Sequence, residues 1–169
     1  ARRLGEGVLG VEQFEPGHAR GGSEDHSRII RLSYHTPAYV ELARAAYRSW
    51  EQVEADSGEQ LVLKTGGLDL APAGASIGLA DYRSSMTTAG VRFEELDAGE
   101  VMRRWPQWRL DDDVTALFQE SSGIAMASRA NAAHRRLAVE HGATLLDQAT
   151  VSAVREVDGE VEVVIEGRA

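Results

Sequence analysis

No cysteine occurs among the 169 residues, which excludes disulfides, thiolate nucleophiles and zinc-thiolate sites together. That composition suits a reducing cytosol, and a cytoplasmic location is the expectation. Lysine is almost missing too, since Lys64 stands alone and every other basic side chain is arginine. With 18 basic against 27 acidic side chains the formal charge is -9, the wrong sign for nucleic acid or an anionic membrane surface, so neither is an expected partner. No apolar run reaches the roughly 18–20 residues of a membrane span, and no apolar signal core opens the chain. A soluble protein without membrane attachment is expected. Metal chemistry is not expected either. His134 and His141 share a predicted helix seven residues apart, about 10 Å along the axis and too far for one ion. His18, His26 and His35 have no ligand spacing, and scattered Ser, His and Asp residues make no triad.

What is present is a 43% hydrophobic chain, able to bury one ordinary core or two small ones joined along a shared sheet. Neither a repeat nor a low-complexity linker appears, and no composition shift marks a domain boundary. Residues 1–7 read as the last turn of a helix, basic and then closed by glycine. Residues 8–12 are a short apolar run ending in the carboxylate of Glu12. The second strand of a dinucleotide-binding unit ends this way, with the acid on the adenosine ribose hydroxyls; an ordinary solvated loop acid also fits. Gly5, Gly7 and Gly10 spell G-x-G-x-x-G, but no strand precedes them and no helix follows, so the match is a decoy.

Further along, Thr36 reads as an N-cap with Pro37 at the first helical position, opening a helix over roughly 37–55. Its predicted apolar stripe is Tyr39, Leu42, Ala43, Ala46, Trp50 and Val53, best read as core packing. Residues 61–72 form a strand with a glycine interruption. A helix over 76–89 and a short strand over 91–96 follow. Asp97 with Glu100 makes a capping box for a helix that Pro106 ends. Residues 115–118 and 123–127 suggest a strand or hairpin, Ser128 caps a helix ending near Gly142, and 143–146 and 151–157 are strands. Asp158 and Gly159 mark a hairpin turn before 160–165. The order is that of a mixed α/β chain.

The most informative stretch is residues 20–34, where a glycine-led polar loop runs into Arg28 and Arg31 flanking Ile29 and Ile30. Such a segment can hold anions, because arginine stays charged and donates in a fixed fork. The two arginines are neighbours on a helical turn but face opposite ways in an extended strand. The isoleucines between them would anchor the segment in the core. Ordinary salt bridges are the alternative reading of both cations.

Together with residues 12–18 before it and 36–39 after it, this stretch resembles the FAD-dependent amine oxidase family of monomeric sarcosine oxidase and N-methyltryptophan oxidase. Weaker echoes lie in residues 64–68, 104–106 and 122–123. The resemblance implies an α/β fold, in which a partial FAD-binding (Rossmann-like) lobe, residues 1–56 and 128–169, is interleaved with a substrate-side α+β lobe, residues 57–127. It also implies that the chain covers part of such a protein. The glycine fingerprint, roughly twenty residues before the acid, and the later half with its flavin-linking cysteine and oxygen-activating lysine lie on segments that this sequence does not include.

The activity implied is oxidation of a secondary N-methyl amino acid, sarcosine-like, by FAD and O2 to an imine and hydrogen peroxide. Hydrolysis of the imine gives formaldehyde. By resemblance Arg28 lies near the flavin ring and supports its reduced form, making it the catalytic candidate. Arg31 pairs with the substrate carboxylate. Glu12, Gln13, Ser23, His26, Ser27, Arg28 and Val151 are the implied cofactor contacts, Val151 through its backbone at the adenine ring. One departure stands out. The family pattern is close to Gly-Ser-Ser-His-Gly-His-Ser-Arg, whereas residues 21–28 place Glu24 and Asp25 where histidine and glycine are expected. Two carboxylates there would repel a pyrophosphate unless turned outward or paired. The same family half also admits a non-catalytic remnant that self-associates or needs a partner and no longer binds flavin, and an FAD-dependent dehydrogenase of glycine derivatives.

Overall fold

The computed structural model describes residues 3, 7–22 and 25–166. In chain order these form β1 (Leu9–Val11), β2 (Arg28–Ile30), α1 (Pro37–Ser57), β3 (Val62–Lys64), β4 (Gly67–Ala71), α2 (Ala80–Thr88), β5 (Glu94–Asp97), α3 (Ala98–Arg104), β6 (Thr115–Gln119), β7 (Gly123–Ala125), α4 (Ala127–Glu140), β8 (Thr144–Leu146), β9 (Val151–Val157) and β10 (Glu160–Ile165). Two compact units share them. The first comprises residues 1–26, 56–59 and 127–169, and the second 27–55 and 60–126. Residues 27–55, and with them most of α1, therefore group with the second unit.

In the first unit β1 and β8 pair in parallel, Gly10 opposite Leu145 and Val11 opposite Leu146. A parallel pair needs a crossover, and α4 leads directly into β8. This helix buries Ala127, Ala130 and Ala133, small residues that let it lie close. Gly142, with φ +81°, turns the chain out of it, the role glycine serves after a helix. β9 and β10 form an antiparallel hairpin through Asp158 (φ 53°) and Gly159 (φ 83°), the two left-handed positions of a type I′ turn.

The second unit holds two antiparallel three-stranded sheets, β2-β7-β3 and β4-β6-β5. The predicted break in residues 61–72 is real, and it separates sheets. β3 belongs to one and β4 to the other, with Gly66 at φ +75° between them. The Phe118 ring lies where a side chain on Gly66 would project. Residues 115–127 do not make a hairpin: β6 is the centre of one sheet and β7 the centre of the other. The turn between them is held by Ser122 N–H on the Gln119 carbonyl (3.1 Å) and by the buried Ser122 hydroxyl on Gln119 Oε1 (2.7 Å).

α1 buries a face that shares Ala43 and Trp50 with the predicted stripe but not its first members. Tyr39 and Leu42 are 52% and 64% exposed, while Val40 is fully buried. Tyr47 and Trp50 pack on Ile30, Val62 and Ala125, so the inward face runs 40, 43, 47, 50 at helical spacing. Tyr47 donates its hydroxyl to the Ser121 carbonyl (2.6 Å). Burial pushes its pKa up to about 12, which keeps it a donor. Glu54 on the next turn accepts the Leu61 and Val62 amides (2.6 and 2.8 Å), fixing the entry to β3. A second cluster joins Val40, Met86, Val91 and Leu117. A third joins Leu96, Val101 and Ala116 under Trp105 and Phe118. Each large aliphatic side chain so buried contributes about 1.5–3 kcal/mol.

Other local expectations shift at the edges. The helix expected from 76 begins at Ala80, and the strand expected over 91–96 is Glu94–Asp97. Asp97 does cap α3, accepting the Glu100 amide (2.7 Å). The Glu100 carboxylate instead binds Arg103 and Arg104. Ser128 lies inside the first turn of α4 rather than capping it, and its hydroxyl donates to the Asp25 carbonyl (2.7 Å). The helical turn expected over residues 1–7 falls almost wholly outside the described residues.

Candidate functional site

Glu12 follows the last residue of β1, and its amide continues the ladder onto the Leu146 carbonyl (2.8 Å). The strand thus ends with its acid at the carboxyl edge of a parallel pair, where ligands of α/β sheets bind. The Glu12 carboxylate accepts the Phe14 amide at Oε1 (2.9 Å), and His18 Nε2 lies 3.5 Å from the same oxygen. The Phe14 amide first, then His18 and the Gln13 amide, hold its carboxyl below the ordinary carboxylate range against a desolvation that raises it. An ionised acceptor is therefore kept at the strand end.

Beside it opens a cleft of about 510 Å3, lined by Gly10, Glu12 and His18, by Asn131 and Arg135 of α4, and by Asp147 after β8. That volume lies within the 300–1,000 Å3 range of small-molecule sites. Gly10 gives the Leu145 side chain room in the wall: a Cβ there would come within 2.7 Å of Leu145 Cδ2, which would have to shift. The chemistry of this lining suits a nucleoside. It offers apolar wall for a base, a carboxylate for a diol and polar groups at the rim.

In the second unit Arg28 sits in β2 opposite Ala125, so the segment is extended and not a helical turn. Ile30 is buried, but Ile29 is 79% exposed, which corrects its expected role as a core anchor. In a strand alternate residues face opposite ways, and only one of the two can point inward. Arg31, just past the strand, binds Asp69 of β4 through Nη1 (2.5 Å) and lies with its guanidinium carbon 5.3 Å from the Tyr34 ring centre. The other oxygen of Asp69 accepts the hydroxyl of the fully buried Ser33. One end of the Arg31 fork is thereby fixed by a carboxylate 38 residues away in sequence.

In the loop before β2, Asp25 stands where the family pattern has glycine. Asp25 adopts φ 95°, a region that costs a non-glycine residue of order 1–3 kcal/mol. Its Oδ1 accepts the following His26 amide (2.7 Å), and the His26 carbonyl accepts the Ala127 amide (3.0 Å). Asp25→Gly is therefore expected to stabilise the chain by about 1 kcal/mol, read as a higher urea midpoint at unchanged slope.

A sequence model of the family described as DAO, FAD dependent oxidoreductase, matches residues 1–169. The chain belongs to this FAD-dependent oxidoreductase family. Monomeric sarcosine oxidase of Streptomyces avermitilis is 37% identical over 142 residues, which cover 83% of the chain and 37% of that protein. N-methyl-L-tryptophan oxidase of Salmonella arizonae is 31% identical over 164 residues, 96% of the chain and 44% of that protein. The chain thus spans less than half the length of the curated relatives it matches. Among solved structures, NikD, an unusual amino acid oxidase essential for nikkomycin biosynthesis, superposes with a TM-score of 0.86 at 24% identity, over 94% of this chain and 41% of NikD. Glycine oxidase of Geobacillus kaustophilus gives 0.74 at 20% identity, over 95% of this chain and 45% of its own. The mixed α/β fold is that of the N-terminal region of FAD-dependent amino acid oxidases.

Set against the family, the expected contacts separate. Glu12 faces the cleft. Gln13 is exposed next to it and is not among the lining residues. His26 is exposed, Ser27 half-buried, and the Ser27 carbonyl accepts Arg28 Nη1 (2.8 Å). Val151 starts β9 opposite Ile165 and is 39% exposed. Ser23 and Glu24 lie outside the described residues. Sequence reading missed the rest of the site: Asn131, Arg135 and Asp147 reach the cleft, and Asp69 with Ser33 reaches Arg31, through pairings with no local signature. For His18 a signal existed, its place in the turn after Glu12. Among the described residues no three His, Asp or Glu side chains gather to hold a metal, and no helix is long and apolar enough to cross a membrane.

Proposed function

We propose that the chain contributes the adenosine side of an FAD site, together with Arg28 and the carboxylate-binding Arg31, to an oxidase of secondary N-methyl amino acids. The observation that carries this reading is the ionised Glu12 at the carboxyl end of a parallel strand, opening on a cleft of about 510 Å3. Identity of 37% to a monomeric sarcosine oxidase supports the substrate class. Glu12 accepts the ribose hydroxyls, while Gln13, Ser23, His26, Ser27 and the Val151 backbone complete the cofactor contacts. When bound, FAD supplies the two-electron acceptor. Overall, a secondary amine and O2 give an imine and hydrogen peroxide, two electrons and two protons leaving the C–H and N–H bonds for oxygen. Arg28 supplies permanent positive charge against negative charge developing in the reduced state. Arg31, with Nη1 held by Asp69, offers its remaining N–H groups to the substrate carboxylate and so orients the amine.

The test is retention of FAD by the purified chain, followed by flavin absorbance after free cofactor is removed. Glu12→Gln is expected to weaken FAD about tenfold, the loss of one hydrogen bond to a charged acceptor, and to leave FMN binding unchanged. Since the Glu12 carboxyl is held low, FAD retention should persist as pH falls through the ordinary carboxylate range and disappear only below it. Failure of the folded chain to retain FAD removes the flavoprotein reading. A second reading, a non-catalytic chain that associates with a partner, is favoured by the β9–β10 hairpin. Val154 and Val161 are 65% and 70% exposed on one face of this two-stranded sheet, and isolated hairpins are marginal in water. Concentration-dependent sedimentation without flavin binding would support it.

A further inference from the structure

His18 is held in one tautomer by its own loop. The Arg20 amide donates to His18 Nδ1 (3.1 Å), so Nδ1 is an acceptor and the ring proton of the neutral imidazole sits on Nε2. That nitrogen is the one lying 3.5 Å from Glu12 Oε1. The ring cannot easily turn away. It meets Phe14 edge-on with centroids 4.9 Å apart, and the Arg20 guanidinium covers Phe14 at 4.6 Å. Phe14 in turn donates its amide to the same Glu12 oxygen (2.9 Å). The His18 amide bonds the Glu15 carbonyl (3.3 Å) across Gly17, whose φ of +90° is a glycine conformation. A closed ring of contacts thus runs from the carboxylate through residues 14, 18 and 20, and both donors approach Oε1, leaving the second carboxylate oxygen outside these contacts.

We propose that His18 is a positioning residue for Glu12: its Nε2–H pins one carboxylate oxygen so that the other is presented to a vicinal diol in the cleft. This rests on the adenosine reading of the site. The chemistry is that of a ligating group oriented by a neighbouring side chain, where the partner that fixes the group matters nearly as much as the group. Arg135, His134 and Asp147 line the same cleft and are left untouched by the substitutions that follow.

Two variants divide the two ring nitrogens. His18→Asn retains an acceptor near the Nδ1 position for the Arg20 amide and removes the donor to Glu12. His18→Gln places an amide donor near the Nε2 position. In titrations of the full chain, His18→Asn is expected to weaken FAD about tenfold, with His18→Gln within about twofold of the parent and FMN unaffected by both. By NMR the parent ring nitrogens should show the Nε2–H tautomer, and the Glu12 carboxyl should titrate at higher pH in His18→Asn but not in His18→Gln. A folded His18→Asn chain that binds FAD like the parent, or an Nδ1–H tautomer, overturns the proposal. If Glu12→Gln weakens FAD and His18→Asn does not, only His18 loses its role. If the parent and Glu12→Gln bind FAD equally, the ribose reading itself falls, and this inference with it.

Discussion

Gly123→Ala is expected to destabilise the second unit by about 3 kcal/mol, the largest effect of any single methyl group in the described chain. β7 is the central strand of its sheet, with Gly123 opposite both Ile30 and Lys64. A Cβ on Gly123 would lie 1.9 Å from the Leu63 carbonyl oxygen and 2.9 Å from Lys64 Cα. Those are backbone atoms of the neighbouring strand, which no rotamer change can move. Relief requires β3 to separate from β7, opening the cluster of Ile30, Val62 and Ala125 under Tyr47 and Trp50. The same strand holds β2, so Arg28 would lose its register with Ala125. Urea unfolding monitored by tryptophan fluorescence measures the cost. Gly78→Ala is the control, since a Cβ there meets nothing within 4 Å, and a shift of about 0.5 kcal/mol or less is expected. Equal stability of the two variants would contradict the strand pairing.

Asp69→Ala should cost about 2–3 kcal/mol. Two groups lose their partner at once, the Arg31 guanidinium and the hydroxyl of Ser33, which is fully buried. The figure sits below that of a fully buried ion pair because the Arg31 side chain is 33% exposed and water screens part of its charge. Asp69→Asn keeps an acceptor and is expected to cost about 1 kcal/mol. A double-mutant cycle with Arg31→Met separates the pair from the Ser33 bond, because the coupling between residues 31 and 69 survives only if they interact. A coupling near zero would mean that the contact contributes nothing in solution. The pair also bears on function, since Asp69 both steadies Arg31 and competes with any substrate carboxylate for its charge.

How much was legible depended on range. The run ending at Glu12, the turn at Asp158 and Gly159, and the Asp97 cap depend on neighbours a few residues apart, and each formed where its local chemistry placed it. The face of α1 was legible only in part. Tyr39 and Leu42 extend a helical stripe through Ala43 and Trp50 as well as Val40 and Tyr47 do, and only the sheet beneath selects between the two overlapping faces. Of the strand or hairpin expected over 115–127, the strands formed and the hairpin did not, because two strands joined by a short turn can pair with each other or part into separate sheets, and partners from residues 28–97 decided it. Asp25 shows the limit from the other side. An aspartate carries no local signal for a left-handed backbone, yet contacts through His26 and Ser128 accompany a φ of 95° there.

By itself the sequence determined the helices and turns, the acid at the end of β1, the lack of thiol chemistry and the likeness to FAD-dependent amine oxidases, because short-range sterics, capping and residue chemistry act without the rest of the chain. Only the tertiary structure decided that Arg31 meets Asp69, that Ile29 faces outward and Ile30 inward, that Gly10 and α4 line one cleft, and that His18 comes within 3.5 Å of Glu12. Those are choices among partners distant in sequence, or among rotamers and faces of nearly equal local energy, and burial and hydrogen-bond satisfaction in the folded units settle them.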